Sequence, residues 1–110
     1  MATRNRYYNI EGTIRSGFKL SRDYETLDFS FIKMNDDGVR ALVGSRSIKQ
    51  LKRLTINNNK LTHESGLAIA ESKWLENLQS LKLYRNKIGH EGLKALAESD
   101  KLPSLKSLRL

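Results

Sequence analysis

Leu51-Lys-Arg-Leu54-Thr-Ile56-Asn-Asn-Asn59 and Leu78-Gln-Ser-Leu81-Lys-Leu83-Tyr-Arg-Asn86 both read L-x-x-L-x-L-x-x-N, at an offset of 27 residues. Leu105-Lys-Ser-Leu108-Arg-Leu110 opens a further copy at the same offset, and Tyr24-Glu-Thr-Leu27-Asp-Phe29-Ser-Phe-Ile32 is a degenerate copy upstream. The second halves are in phase too. Met34, Gly38, Leu42 and Val43 match Leu61, Ser65, Ile69 and Ala70, then Ile88, Gly92, Leu96 and Ala97. Apolar positions held in phase over this length mark a repeat architecture, with units starting at 24, 51 and 78 and a partial unit at 105.

Each half of the unit has a physical reading. Leu-x-Leu alternates with period two and suits a short strand that buries one face. From about Gly89 to Ser99, Leu93, Leu96 and Ala97 fall at helical spacing and predict a helix with one apolar stripe. The small residues Ala68, Ala70, Ala95 and Ala97 would let the helices lie close to the strand layer. A strand and a helix cannot bury both apolar faces alone, so neighbouring units must stack to make the core continuous.

Helix starts recur at Asn35, Thr62 and Gly89, all residue types favoured at N-caps. Asp37, Glu64 and Glu91 follow two residues later, where the helix dipole favours negative charge. Gly38 and Gly92 are expected where a side chain would crowd the strand–helix turn, with Ser65 in phase and Gly66 one later in the middle unit.

These residues resemble leucine-rich repeats, specifically the ribonuclease-inhibitor-like class. Asn86-Lys-Ile-Gly-His-Glu-Gly-Leu-Lys-Ala-Leu-Ala97 carries that resemblance best, and it extends over 24–110. The resemblance implies an α/β fold, a right-handed solenoid forming a short horseshoe segment with parallel strands on the concave side and helices on the convex side. It also implies that Asn59 and Asn86 are buried and bond to the backbone of neighbouring turns. Ile32 stands in that position in the first unit, a departure expected of a modified end repeat.

Outside the resemblance, residues 1–23 are expected to form an N-terminal cap. Tyr8, Ile10, Ile14, Phe18 and Leu20 would supply its apolar groups, Ser16-Gly17 a turn between two short strands, and Arg4, Arg6, Arg15, Lys19 and Arg22 a solvated side. At the other end, Leu110 lies within an expected strand, which predicts an unpaired edge that a second copy or another segment or chain would cover, unless the sequence is a truncated product of a longer repeat protein.

The 110 residues suit one domain. There is no cysteine, hence no disulfide or thiolate metal site, and no apolar run of signal-peptide or membrane-spanning character. A cytoplasmic location and no membrane contact are expected. The net charge of +8, concentrated toward the two ends, favours acidic partners through long-range steering.

Residues flanking the strand leucines should stand on the concave face: Asp28 and Ser30, Thr55 and Asn57, Lys82 and Tyr84, then Arg109, with Phe31, Asn58 and Arg85 at the strand ends. Asn57, Lys82, Tyr84, Arg85 and Arg109 are the candidate partner-binding residues, set against the plain alternative of a solvated surface. His63 and His90 share a phase with Asp36, and first-turn residues repeated with the unit explain them more simply than a metal site. Trp74, unmatched in the other units, reads as packing over a helix end or as a partner anchor. No Ser, His and Asp fall at a catalytic spacing and no phosphate-binding glycine loop is present, so no enzymatic activity and no cofactor are expected. The expected function is therefore protein binding through the concave face or the open edge. The rival is a basic nucleic-acid-associated module, based on the high pI and on Arg4, Arg6, Tyr7 and Tyr8.

Overall fold

A computed structural model describes residues 9–110. Helix α1 (Ile10–Ser21) is followed by β1 (Thr26–Asp28), α2 (Asn35–Val43), β2 (Arg53–Thr55), α3 (His63–Glu71), β3 (Ser80–Lys82), α4 (Gly89–Glu98) and β4 (Ser107–Arg109). The strands form one parallel sheet in chain order β1-β2-β3-β4. Its register follows the 27-residue offset: Leu27 pairs with Leu54, Leu54 with Leu81 and Leu81 with Leu108. Consecutive helices likewise lie beside one another, and the strand leucines share a single core with Leu42, Ile69 and Leu96 of the helices.

Strands of three residues make few ladder bonds, and two side-chain ladders extend the stacking. In the first, the Oδ1 of Asn59 accepts from the N–H groups of Ile32 (3.1 Å) and Met34 (2.9 Å), while its Nδ2 donates to Phe29 O (2.8 Å). Asn86 repeats this on the N–H groups of Asn59 and Leu61 and on Ile56 O. Each asparagine thus holds the unit before it. That direction explains why Ile32 is tolerated: upstream of the first unit there is a helix in place of a repeat turn. Asn59 is fully buried; Asn86 is only half-buried, because just the partial fourth unit lies beyond it.

The second ladder was not anticipated. Ser72 Oγ donates to Val43 O and Ser99 Oγ to Ala70 O, each tying a helix end to the preceding helix. Ser45, in the same phase, donates instead to the Glu11 carboxylate of α1 at 2.5 Å, and Ser47 donates to it as well.

The hairpin expected before residue 23 is absent. Ile10, Ile14 and Phe18 recur every four residues, which is helical spacing, and the chain forms α1 with Ile14 and Phe18 buried. Gly17 is no turn: a Cβ there would come within 2.7 Å of Leu27 and 2.8 Å of Phe29, so its bareness lets α1 lie on β1. Leu20 is not part of the core but 86% exposed. Arg15, Lys19 and Arg22 are exposed as expected. Arg4, Arg6, Tyr7 and Tyr8 lie outside the described residues.

One detail of the helix layer also differs. On α4 the buried positions are Gly92 and Leu96, while Leu93 and Ala97 point outward. Gly92 relieves the strand–helix turn as expected, since a Cβ there would run into the Ile88 side chain; Gly66, one residue out of phase, is instead bare for the neighbouring helix, where a Cβ would lie 2.7 Å from Gly92 Cα. Ser65, buried beside Gly66, donates to Asp36 Oδ1 at 2.5 Å. Of the expected N-caps, Thr62 accepts from Glu64 N–H, and Asn35 Oδ1 accepts from Asp37 and Gly38 N–H.

Asn59→Ala should lower unfolding free energy by about 2–4 kcal/mol, since it strands buried backbone donors and an acceptor, and Asn86→Ala should cost less because water reaches that site. Equal losses in urea titrations would contradict the difference in solvent access between the two sites. Gly66→Ala forces α3 and α4 apart where only backbone stands in the way, and should cost about 1–3 kcal/mol in the same measurement.

Candidate functional site

The leucines point inward, so their strand neighbours form the outer face of the sheet. Register aligns them in rows: Thr26, Arg53, Ser80 and Ser107 in one, and Asp28, Thr55, Lys82 and Arg109 in the next. Beyond the strand ends the rows continue as Ser30, Asn57 and Tyr84, then Phe31, Asn58 and Arg85. The last three all have positive φ (62°, 58° and 56°), which turns the chain outward at each unit. Backbone bonds hold these turns at sheet spacing, from Phe31 N–H to Asn57 O and from Asn58 N–H to Tyr84 O.

Electrostatically the face is divided. At the β1 side Arg53 donates to Thr26 Oγ1 (2.9 Å) and pairs with Asp23 (3.1 Å), while Lys52 pairs with Glu25 (3.2 Å). The Asp23 carboxyl is held well below the usual range, first by the Glu25 N–H and then, against some burial, by Thr26 and Arg53. At the β3–β4 side Lys82, Arg85 and Arg109 are exposed, and no ion pair among the described residues involves them. Tyr84 stands between them, 39% exposed. Asn57 is half-buried and partly committed: its Oδ1 accepts from Tyr84 N–H at 2.7 Å, and its own N–H donates to Ser30 Oγ. It borders the cluster as a brace.

Sequence reading missed two things here. Arg53 sits on the same face but is neutralised by its neighbours. Lys33, Lys60 and Lys87 share one phase just beyond the strand ends and are all exposed; applying the 27-residue offset to charged positions, not only apolar ones, would have found them.

Asp36 does more than decorate a first turn. It accepts from Thr62 N–H (2.9 Å), Thr62 Oγ1 (2.8 Å) and Ser65 Oγ, joining the first unit to the second. Burial opposes its ionisation, yet the bonds from Ser65 and Thr62 outweigh it and lower its pKa. Glu11 is lowered by the hydroxyls of Ser45 and Ser47. His63 lies 3.6 Å from Glu91, and no group of three His, Asp or Glu able to hold a metal occurs among the described residues. Trp74 is half-buried against the core and lines an open groove of about 470 Å³ with Arg40, Val43, Leu67 and Ala68, on the helix layer away from the sheet face. No described helix is long and apolar enough to cross a membrane.

Against known proteins, residues 75–97 match the family model described as Leucine Rich repeat. No curated protein and no solved structure matches the chain. Leucine-rich repeats are in general protein-interaction modules without catalytic activity of their own.

The depressed carboxyls set an acid limit. A carboxyl whose pKa is lowered on folding contributes stability above its unfolded value, and that contribution is lost as pH falls through the folded one. Stability should therefore decline below the ordinary values of 4.5 for Glu11 and 3.8 for Asp36. Urea midpoints compared at neutral pH and about pH 3 should fall less for Asp36→Asn and Glu11→Gln than for the unaltered chain.

Proposed function

We propose that the chain is a curved, right-handed leucine-rich-repeat solenoid of the ribonuclease-inhibitor-like class that serves as a cytoplasmic protein-binding scaffold. The strands line its concave side and the helices its convex side, and residues 1–23 cap the first unit. The concave face takes a partner with an acidic surface through Lys82, Tyr84, Arg85 and Arg109, with Asn57 at its border. One observation carries this reading: the β3–β4 side of a rigid sheet face presents exposed cations without internal counter-ions, whereas the β1 side is neutralised. Tyrosine and arginine are the residue types that dominate binding energy at interfaces, and side chains arrayed on a stacked backbone lose little freedom on docking.

A second reading concerns the β4 edge. Leu105 and Leu108 remain half-exposed and Leu110 is 48% exposed, whereas Leu78 and Leu81, their counterparts one unit earlier, are fully buried. A second copy would cover this edge.

With the chain immobilised as bait, the double variant Lys82→Glu and Arg85→Glu should lose the acidic proteins that the unaltered chain retains; unchanged recovery would overturn the face assignment. Recovery that vanishes on nuclease treatment would favour the nucleic-acid alternative. For the edge, solution mass should double with rising concentration and the doubling should disappear on removal of residues 105–110. A monomer at all concentrations would exclude pairing.

A further inference from the structure

We infer that the rim at the C-terminal ends of the strands is a binding strip for an acidic peptide segment, with Lys60 and Lys87 as its central contacts. This rests on the reading of the chain as a protein-binding scaffold and extends its surface beyond the sheet face.

The rim consists of the three stacked strand-to-helix loops, 29–35, 56–62 and 83–89. They contain Lys33, Lys60, Arg85 and Lys87 and not one Asp or Glu. Their stacking is enforced by backbone and Asn bonds, including Lys87 N–H to Leu61 O (2.8 Å) and Asn35 N–H to Asn59 O (3.1 Å). Neighbouring units therefore carry their lysines about one strand spacing, ~4.8 Å, apart at the backbone. Like charges opposed in this way repel one another, and a bound anion would relieve the repulsion.

Asp28, at the β1 end of the first loop, accepts from Ser30 N–H, and the carboxylates of the following helix starts are engaged elsewhere. Asp36 is bonded to Thr62 and Ser65, Asp37 and Glu64 are both paired with Arg40, and Glu91 lies against His63. None forms an ion pair with Lys60, Arg85 or Lys87 among the described residues. The opposite rim differs: there Glu71, Glu76, Glu98 and Asp100 alternate with lysines, and Lys52 and Arg53 are already paired. The charges carried by these loops are thus of one sign, and they run on to Lys82 and Arg109 on the face, whereas the lysines of the opposite rim stand among acidic residues. A peptide is favoured over a nucleic-acid strand because the exposed aromatics of these loops, Phe31 and Tyr84, lie two units apart and offer no continuous stacking platform.

The test uses a fluorescein-labelled oligoglutamate and the full chain, read by fluorescence anisotropy at low salt. Lys60→Glu with Lys87→Glu should weaken binding by about tenfold or more. Lys94→Glu with Lys101→Glu, an identical charge change away from the rim, should alter it by less than about twofold. Equal weakening by both pairs, or no binding by the unaltered chain, would overturn the rim assignment. Lys82→Glu with Arg109→Glu separates the two proposals: weakening there but not at Lys60 and Lys87 sinks the rim and leaves the face standing. A single-stranded oligonucleotide of equal charge that bound more tightly through the same lysines would overturn the peptide assignment. All variants change exposed side chains, and unaltered thermal unfolding confirms that the fold is retained.

Discussion

The structure depends on one buried amide. Asn59 gives its Oδ1 to two backbone donors of the preceding turn and its Nδ2 to that turn's carbonyl, fully buried from solvent. Strands of three residues could not keep the units in register alone. The asparagine carries backbone pairing around the bend where strand bonding stops, and leaving such groups unsatisfied would cost more than the net gain of an ordinary hydrogen bond. Asn86 repeats the device one unit on, and Ser72 and Ser99 perform the same task at the helix ends.

Both ladders reach toward the N-terminus, and this gives α1 its role. The serine of the first unit, Ser45, has no preceding helix carbonyl within a repeat, and the Glu11 carboxylate of α1 accepts its hydrogen bond instead. Phe18 and Ile14 meanwhile close the core over Leu27 and Phe29, with Gly17 permitting the approach. The helix thus satisfies the hydrogen bonds and the apolar surface that another unit would have satisfied.

Rigid stacking has an electrostatic consequence. Once the units are in register, any charged residue type repeated in phase becomes a row, whether or not its charges attract. On the helix layer the rows are mixed and compensated, as Arg40 between Asp37 and Glu64 shows. On the loops after the strands they are all cationic. A surface with charges of one sign fixed in place recognises its complement with little reorganisation, and such charges act on approach and selectivity as much as on affinity.

The 27-residue offset by itself determined the register of Leu27, Leu54, Leu81 and Leu108, the strand–helix alternation, and which side chains share the outer face, because period and phase are properties of the chain that stacking only has to preserve. It also placed Lys82, Tyr84, Arg85 and Arg109 together. Tertiary structure alone decided what no periodicity encodes. Ile10, Ile14 and Phe18 form a helix because β1 offers them an apolar surface to cover, against a glycine that read as a turn. Gly66 is bare because of Gly92, a residue of another unit, and Leu93 faces water although its spacing matched the stripe. Which cations remain unneutralised depended on pairs such as Arg53 with Asp23, 30 positions apart. Those contacts arise only when separate segments are brought within hydrogen-bonding reach.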